Sequence, residues 1–123
     1  MQTSTHNTPA SPPAEIFAGK LTPAMTFRQK VWALTAQIPV GRVATYRQIA
    51  LALNGHAYRA VGQALHNNPY APAIPCHRVV ASNGRLTGYA HGLAEKARLL
   101  TKEGVPCSNS KVVNLATHLH HFD

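Results

Sequence analysis

Acidic residues are scarce in this 123-residue chain, and their scarcity is uneven. Four Asp and Glu stand against twelve Lys and Arg, a formal charge of +8, and no carboxylate side chain occurs between Glu15 and Glu95. Lys20, Arg28, Lys30, Arg42, Arg47, Arg59, Arg78 and Arg85 all fall in that interval. A surface of one sign favours a polyanion, nucleic acid first. An acidic membrane is the rival, but no long amphipathic basic helix or apolar anchor supports it. Long apolar runs are missing too: nothing approaches the ~18 residues of a spanning helix, and no signal-peptide core is apparent. Two cysteines, Cys76 and Cys107, could pair in principle, but without a secretory signal they are expected as free thiols in a reducing cytoplasm. Neither Cys-x-x-Cys nor His-Glu-x-x-His occurs, so no metal site is expected, and His118, His120 and His121 near the C-terminus read as incidental.

The length leaves room for one domain with a modest core. Residues 1–23, rich in Ser, Thr and Pro, read as a disordered arm, 24–106 as the folded domain, and 107–123 as a tail. Thr26-Phe27-Arg28-Gln29 has the form of a capping box, followed by Phe27, Val31, Leu34 and Ile38 on one helical face, with Pro39 as the stop. A second box, Thr45-Tyr46-Arg47-Gln48, opens a helix that Asn54-Gly55 ends. The third helix is expected over 57–67, with Ala57, Val61, Ala64 and Leu65 inward and Tyr58, Arg59, Gly62, Gln63 and His66 outward. Gly62 in that outer face costs about 1 kcal/mol against alanine, which suits close approach by another molecule. Two short helices joined by a tight turn make a helix-turn-helix, the third helix being the reading element. Val79-Val80 and Arg85-Leu86 around Asn83-Gly84 read as a small hairpin. A fourth helix runs from Leu93 to Glu103, with Leu93, Ala97 and Leu100 inward and Gly104 as its cap. The fold class expected is mainly α: a winged-helix-like helix-turn-helix domain with a two-stranded hairpin.

Within this frame Ile74-Pro75-Cys76-His77-Arg78-Val79 is the stretch with chemical content. A thiol reacts as its thiolate, only a few per cent of an unperturbed cysteine at neutral pH, and nearby cations or a base raise that fraction. Alone, the stretch reads first as a small buried cysteine beside a surface charge pair, and only second as a nucleophile. Glu103 is likewise open. It sits in the last turn of a helix, where the macrodipole disfavours a carboxylate, either as a solvated glutamate or as a group that orients a histidine.

Pro75-Cys76-His77-Arg78-Val79 resembles the active-site motif of the O6-alkylguanine-DNA alkyltransferases, also called methylated-DNA–protein cysteine methyltransferases. The likeness runs from about Thr26 to Val105 and includes Val43-Ala44-Thr45-Tyr46, Arg59-Ala60-Val61-Gly62, Asn67-Asn68-Pro69, Gly88-Tyr89, Lys96 and Glu103-Gly104. The resemblance implies irreversible transfer of an alkyl group from guanine O6 in double-stranded DNA to Cys76, without a cofactor, by a monomer that is consumed. His77 would draw the proton from Cys76 through a water, and Glu103 would orient His77. The guanine would be flipped out of the duplex, with Arg59 taking its place and Tyr46 helping to rotate it. Ala60 and Gly62 would suit a minor-groove approach. Tyr89 would donate a hydrogen bond to the leaving guanine, while the Ala90 N–H and the Cys76 and Val79 carbonyls recognise the base. Asn68 would hold the active-site turn to the helix-turn-helix. His91 is expected to narrow the pocket in favour of methyl over bulky groups. Two other readings compete: an alkyltransferase-like sensor that binds O6-alkylguanine DNA and recruits other repair factors, and a plain winged-helix regulator for which Cys76 is dispensable.

Overall fold

The computed structural model describes residues 13–122, so residues 1–12 of the expected arm and Asp123 lie outside the described residues. Both capping boxes form. Thr26 Oγ1 accepts from Gln29 N at 3.2 Å while Gln29 Oε1 accepts from Thr26 N at 2.9 Å, which starts helix α2, Phe27–Ala36. Thr45 and Gln48 repeat the exchange at 3.0 and 2.8 Å and start α3, Tyr46–Ala52. Each box satisfies two backbone donors that a helix start leaves without partners. Helix α3 stops where Asn54 turns left-handed (φ 61°) and Gly55 N donates to Ala50 O at 3.0 Å. After a short turn, α4 runs over Tyr58–His66, and it packs on both α2 and α3. Trp32 of α2 donates its indole N–H to Ala64 O of α4 at 2.7 Å.

Val31, Leu34, Ile49, Ala50, Val61, Ala64 and Leu65 from these three helices, with Ile38 just after α2, share one core with Cys76, Val79 and Tyr89. The chain is therefore mostly helical, as expected. A single 3-10 turn, Cys76–Arg78, leads into a short strand, β2 (Val79–Val80). Its partner differs from the expectation. Strand β2 pairs in parallel with β1, Ala44–Thr45, instead of folding back on Arg85-Leu86. The Asn83-Gly84 turn does form, closed by Ala81 N to Arg85 O at 3.0 Å, but Arg85 then bridges to Lys111. Both valines are fully buried, and a strand covered on both faces needs a partner inside the core, which β1 supplies and an exposed hairpin does not.

The hairpin of this fold lies further on: β3 (Cys107–Ser108) against β4 (Lys111–Val112). Residues 107–122 thus carry structure where a tail is expected. Val43 N donates to His118 O and His120 N to Val43 O, and Arg42 and Gln48 donate to Thr117 O and His120 O. Helix α6, Leu115–His118, and Leu119 pack with Val43, Val80, Leu86, Leu100, Val105 and Val112 in a second core. At the other end α1, Pro13–Phe17, falls inside the expected arm and buries Ile16 against Met25, Ala33 and Ile74. Apolar periodicity placed Phe27, Ala57 and Leu93 inward, yet all three are exposed. Phe27 and Leu93 open their helices and Ala57 caps one, so each lies before the first packed turn.

Helix α5, Leu93–Lys102, ends in a Schellman motif: Gly104 (φ 94°) donates to Thr101 O at 3.0 Å and Val105 N to Leu100 O at 2.9 Å. Val105 and Leu100 meet in the second core, which fixes Glu103, the C-cap residue between them.

Candidate active site and nucleic-acid interface

Cys76 opens the 3-10 turn, 7% exposed, with its N–H donated to Ile74 O at 2.8 Å. Asn68, just beyond α4, holds this turn: its Nδ2 donates to Ile74 O at 3.0 Å and its Oδ1 accepts from Tyr70 N at 2.8 Å. Burial pushes the Cys76 thiol above its ordinary pKa, against the opposing pull of a hydrogen bond from the Asn68 side chain and the nearby Lys96 charge. The resting cysteine is therefore a thiol, and its proton needs somewhere to go.

His77 is the next residue and is buried. Its Nε2 faces Glu103 Oε2 at 3.0 Å, which fixes the proton on Nε2 and leaves Nδ1 as the basic nitrogen. Nδ1 is buried and has no hydrogen-bond partner among the described residues. Burial lowers the His77 pKa more than the Glu103 carboxylate raises it, so the ring is neutral at neutral pH and able to take a proton. Arg78 completes the group. Its Nε and Nη2 form a fork on Glu103, 2.9 Å to Oε1 and 2.7 Å to Oε2, and its Nη1 donates to Ile38 O at 2.7 Å. Burial works to raise the Glu103 pKa, but the hydrogen bonds and charges of Arg78 and His77 outweigh it and leave the carboxyl below its ordinary value. The unfavourable position of Glu103 at the end of α5 is thus offset by two partners from one turn of chain.

The expected DNA-facing residues divide. Tyr46, Arg59 and Gly62 line one groove of about 500 Å³, together with Tyr58, Gln63, His66, Thr87 and Gly88. Arg59 is exposed on α4. An added Cβ on Gly62 would meet nothing within 4 Å, so packing inside the protein does not demand glycine there. Ala60, Asn68, Val79, Tyr89 and Ala90 do not line this groove. Tyr89 is buried, its ring edge-on to His77 with centroids 6.4 Å apart, and His91 stands edge-on to Tyr89 at 5.4 Å. A second cleft, lined by Pro72, Tyr89, His91, Glu95, Arg98 and Leu99, opens on that side. Among the described residues no group of three His, Cys, Asp or Glu could hold a metal, and no helix is long and apolar enough to cross a membrane.

Sequence reasoning gave no role to two residues at this site. Arg78 is the pivot of the Glu103 network, a pairing across 25 residues that no local pattern discloses. Lys96 is 1% exposed, with Nζ donating to Thr87 O at 2.7 Å and lying 5.9 Å from the centre of the Tyr46 ring. Tyr46 Oη donates to the same carbonyl at 3.0 Å, so ammonium and phenol together hold the loop that precedes Tyr89. The signal was present: Lys96 stands four residues before the buried Leu100, on the inner edge of α5.

Residues 26–105 match the family described as 6-O-methylguanine DNA methyltransferase, DNA binding domain. A methylated-DNA–protein-cysteine methyltransferase of Methanosarcina barkeri is 50% identical over 91 residues, 72% of this chain and 58% of that protein. One from Salmonella typhimurium is 43% identical over 101 residues, 74% and 59%. The chain thus spans less than two thirds of the length of these curated relatives. Among solved structures, Mycobacterium tuberculosis OGT in complex with DNA aligns at TM-score 0.62 and 38% identity, over 75% of this chain and 62% of that one. S. pombe Atl1, solved with damaged DNA containing O6-carboxymethylguanine, aligns at 0.68 and 28%, over 78% and 95%. With the matched span covering both the helix-turn and the Cys76 site, the chain belongs to the 6-O-methylguanine DNA methyltransferase family through its DNA-binding domain.

Proposed function

We propose that this protein repairs duplex DNA by moving a methyl or other small alkyl group from guanine O6 to Cys76, once per molecule. The carrying observation is the buried Cys76–His77–Glu103 arrangement, with Nε2 of His77 on the carboxylate and the basic Nδ1 left on the other side of the ring. A water between Nδ1 and Sγ relays the thiol proton to His77. Sγ then attacks the alkyl carbon, an S–C bond forms, the O6–C bond breaks, and its electron pair stays with the guanine. Tyr89 donates a hydrogen bond to that departing base, and the Ala90 N–H with the Cys76 and Val79 carbonyls reads its edge. The thioether has no easy leaving group, so the protein is spent, and no cofactor enters the reaction.

Helices α3 and α4 act as a winged-helix-like reading unit on the minor groove, where Ala60 and Gly62 allow close approach. Arg59 fills the place of the extruded guanine and Tyr46 assists its rotation. The protein works as a monomer in whichever compartment holds the DNA. Incubation with a duplex carrying one O6-methylguanine should add the mass of one methyl group to wild-type protein and none to Cys76→Ser. A folded, DNA-binding wild type that gains no mass overturns the reading. That outcome favours a protein that binds the damage without repairing it, a reading supported by the fold likeness to S. pombe Atl1, solved with damaged DNA.

His91 sets the size of group accepted, because its ring stands against Tyr89 and both line the second cleft. His91→Gly should raise the rate of inactivation by O6-benzylguanine several-fold and leave the methyl rate within about twofold. Equal benzyl rates in the two proteins count against it.

A further inference from the structure

Tyr58 has no part in the chemistry above, yet its placement is unusual. It is the first residue of α4, immediately before Arg59, and 42% of it is exposed. Its ring borders two clefts, the groove of about 500 Å³ that contains Arg59 and a neighbouring one of about 340 Å³ lined by Tyr46, Arg47, Ala81 and Ser82. The hydroxyl meets His56 Nδ1 at 3.2 Å and the two rings are edge-on at 6.2 Å, so the tyrosine is braced from the turn side. One helical turn along is Gly62, with nothing within 4 Å of where its Cβ would be, which keeps the space beside the ring open. The rest of this face is Arg59, Gln63 and His66, polar side chains that do not cover an aromatic ring.

Tyr58 and Arg59 project about 100° apart around α4, yet both line the groove of about 500 Å³, so the two can meet neighbouring bases of a duplex seated there. We infer that Tyr58 is a second wedge: its ring stacks on the base neighbouring the extruded guanine while Arg59 occupies the vacated position. Apolar and aromatic side chains inserted from the minor groove play this part generally, because a ring face replaces the stacking that extrusion removes. The inference rests on the alkyl-transfer reading and makes Tyr58 a positioning residue for duplex substrate alone.

The test is the ratio of two transfer rate constants, one for duplex containing O6-methylguanine and one for the free base O6-methylguanine in excess. In Tyr58→Ala this ratio should fall roughly tenfold, the size of one lost base–ring stack. Tyr58→Phe, which keeps the ring and loses the His56 contact, should stay within about twofold of wild type. A Tyr58→Ala ratio equal to wild type overturns the inference, as does an equal fall in Tyr58→Phe, which would place the effect in the hydroxyl. Either result leaves alkyl transfer standing as long as the wild type is methylated. A wild type methylated by neither substrate overturns both.

Discussion

Glu103→Gln should slow methyl transfer from duplex DNA by roughly a hundred- to ten-thousandfold, the range for loss of a general base, with DNA affinity little changed. The carboxylate accepts three hydrogen bonds, two on Oε2 from His77 and Arg78 and one on Oε1 from Arg78. An amide cannot replace it. With its oxygen at the Oε2 position, its NH₂ points at Arg78 Nε–H; turned over, its NH₂ points at His77 Nε2–H and Arg78 Nη2. The second orientation invites the proton of His77 to move to Nδ1, which removes the lone pair facing the reaction. In either orientation the negative charge that stabilises a protonated His77 is gone, and burial already lowers the basicity of this ring. Single-turnover rates by quenched flow decide the matter: a variant within tenfold of wild type would remove Glu103 from the relay.

The same substitution also affects stability, so the rate must be read on protein shown to be folded. Hydrogen bonds to a charged group contribute about 1.5–3 kcal/mol, and Arg78 keeps Ile38 O as a partner, which limits the loss. The sign of the pH dependence follows from the depressed pKa. In the unfolded chain Glu103 takes up a proton near its ordinary value of 4.5, while in the folded protein it holds out to lower pH. Its contribution is therefore full above about 4.5 and is lost as pH falls through the folded value. The stability gap between wild type and Glu103→Gln should narrow below that pH and be widest at neutrality.

What could be read from the chain and what could not divides along the reach of each interaction. Thr26/Gln29, Thr45/Gln48, Asn54-Gly55 and Gly104 act within a few residues, and each formed where its local chemistry put it. Family resemblance added the Cys76, His77 and Glu103 set, and the structure brings His77 and Glu103 into contact across 26 residues. Strand β2 is the counter-example. Its two valines read equally well as half of a hairpin, and only the presence of a second buried strand 35 residues upstream settles the partner. The C-terminal segment lacks a periodic apolar face and so reads as a tail. Its order comes from backbone bonds to Val43 and from Val112, Leu115 and Leu119 filling a core whose other half lies far back in the chain. Ile16 on α1 is the same case in miniature, a single anchor in a stretch otherwise rich in Ser, Thr and Pro.

Lys96 is where a long-range interaction matters most for chemistry, and Lys96→Met should cost roughly ten- to hundredfold in transfer rate near neutral pH. That range corresponds to a charge–charge attraction of about 1–3 kcal/mol in a partly shielded site. Burial lowers the pKa of this ammonium from 10.5 to about 8, so at neutral pH it is still mostly protonated. Its charge favours the thiolate of Cys76 against the burial that opposes it. Methionine keeps an unbranched chain one atom shorter and removes the charge, so the pH at which Cys76 becomes alkylated by iodoacetamide, followed by peptide mass to separate it from Cys107, should move upward. A merely structural lysine would not shift that titration. Stability supplies an independent sign. Below about pH 8 the lysine is charged in both states and the folded one bears the cost of burying it. Between about 8 and 10.5 the folded protein has released this proton while the unfolded chain still holds it, so this group makes stability climb with pH. The climb is limited to ~3 kcal/mol and should be absent in Lys96→Met, which is expected to be at least as stable as wild type at pH 7. A variant that transfers methyl at the wild-type rate, with an unshifted Cys76 titration, would leave Lys96 only the task of holding Thr87 O and the loop before Tyr89.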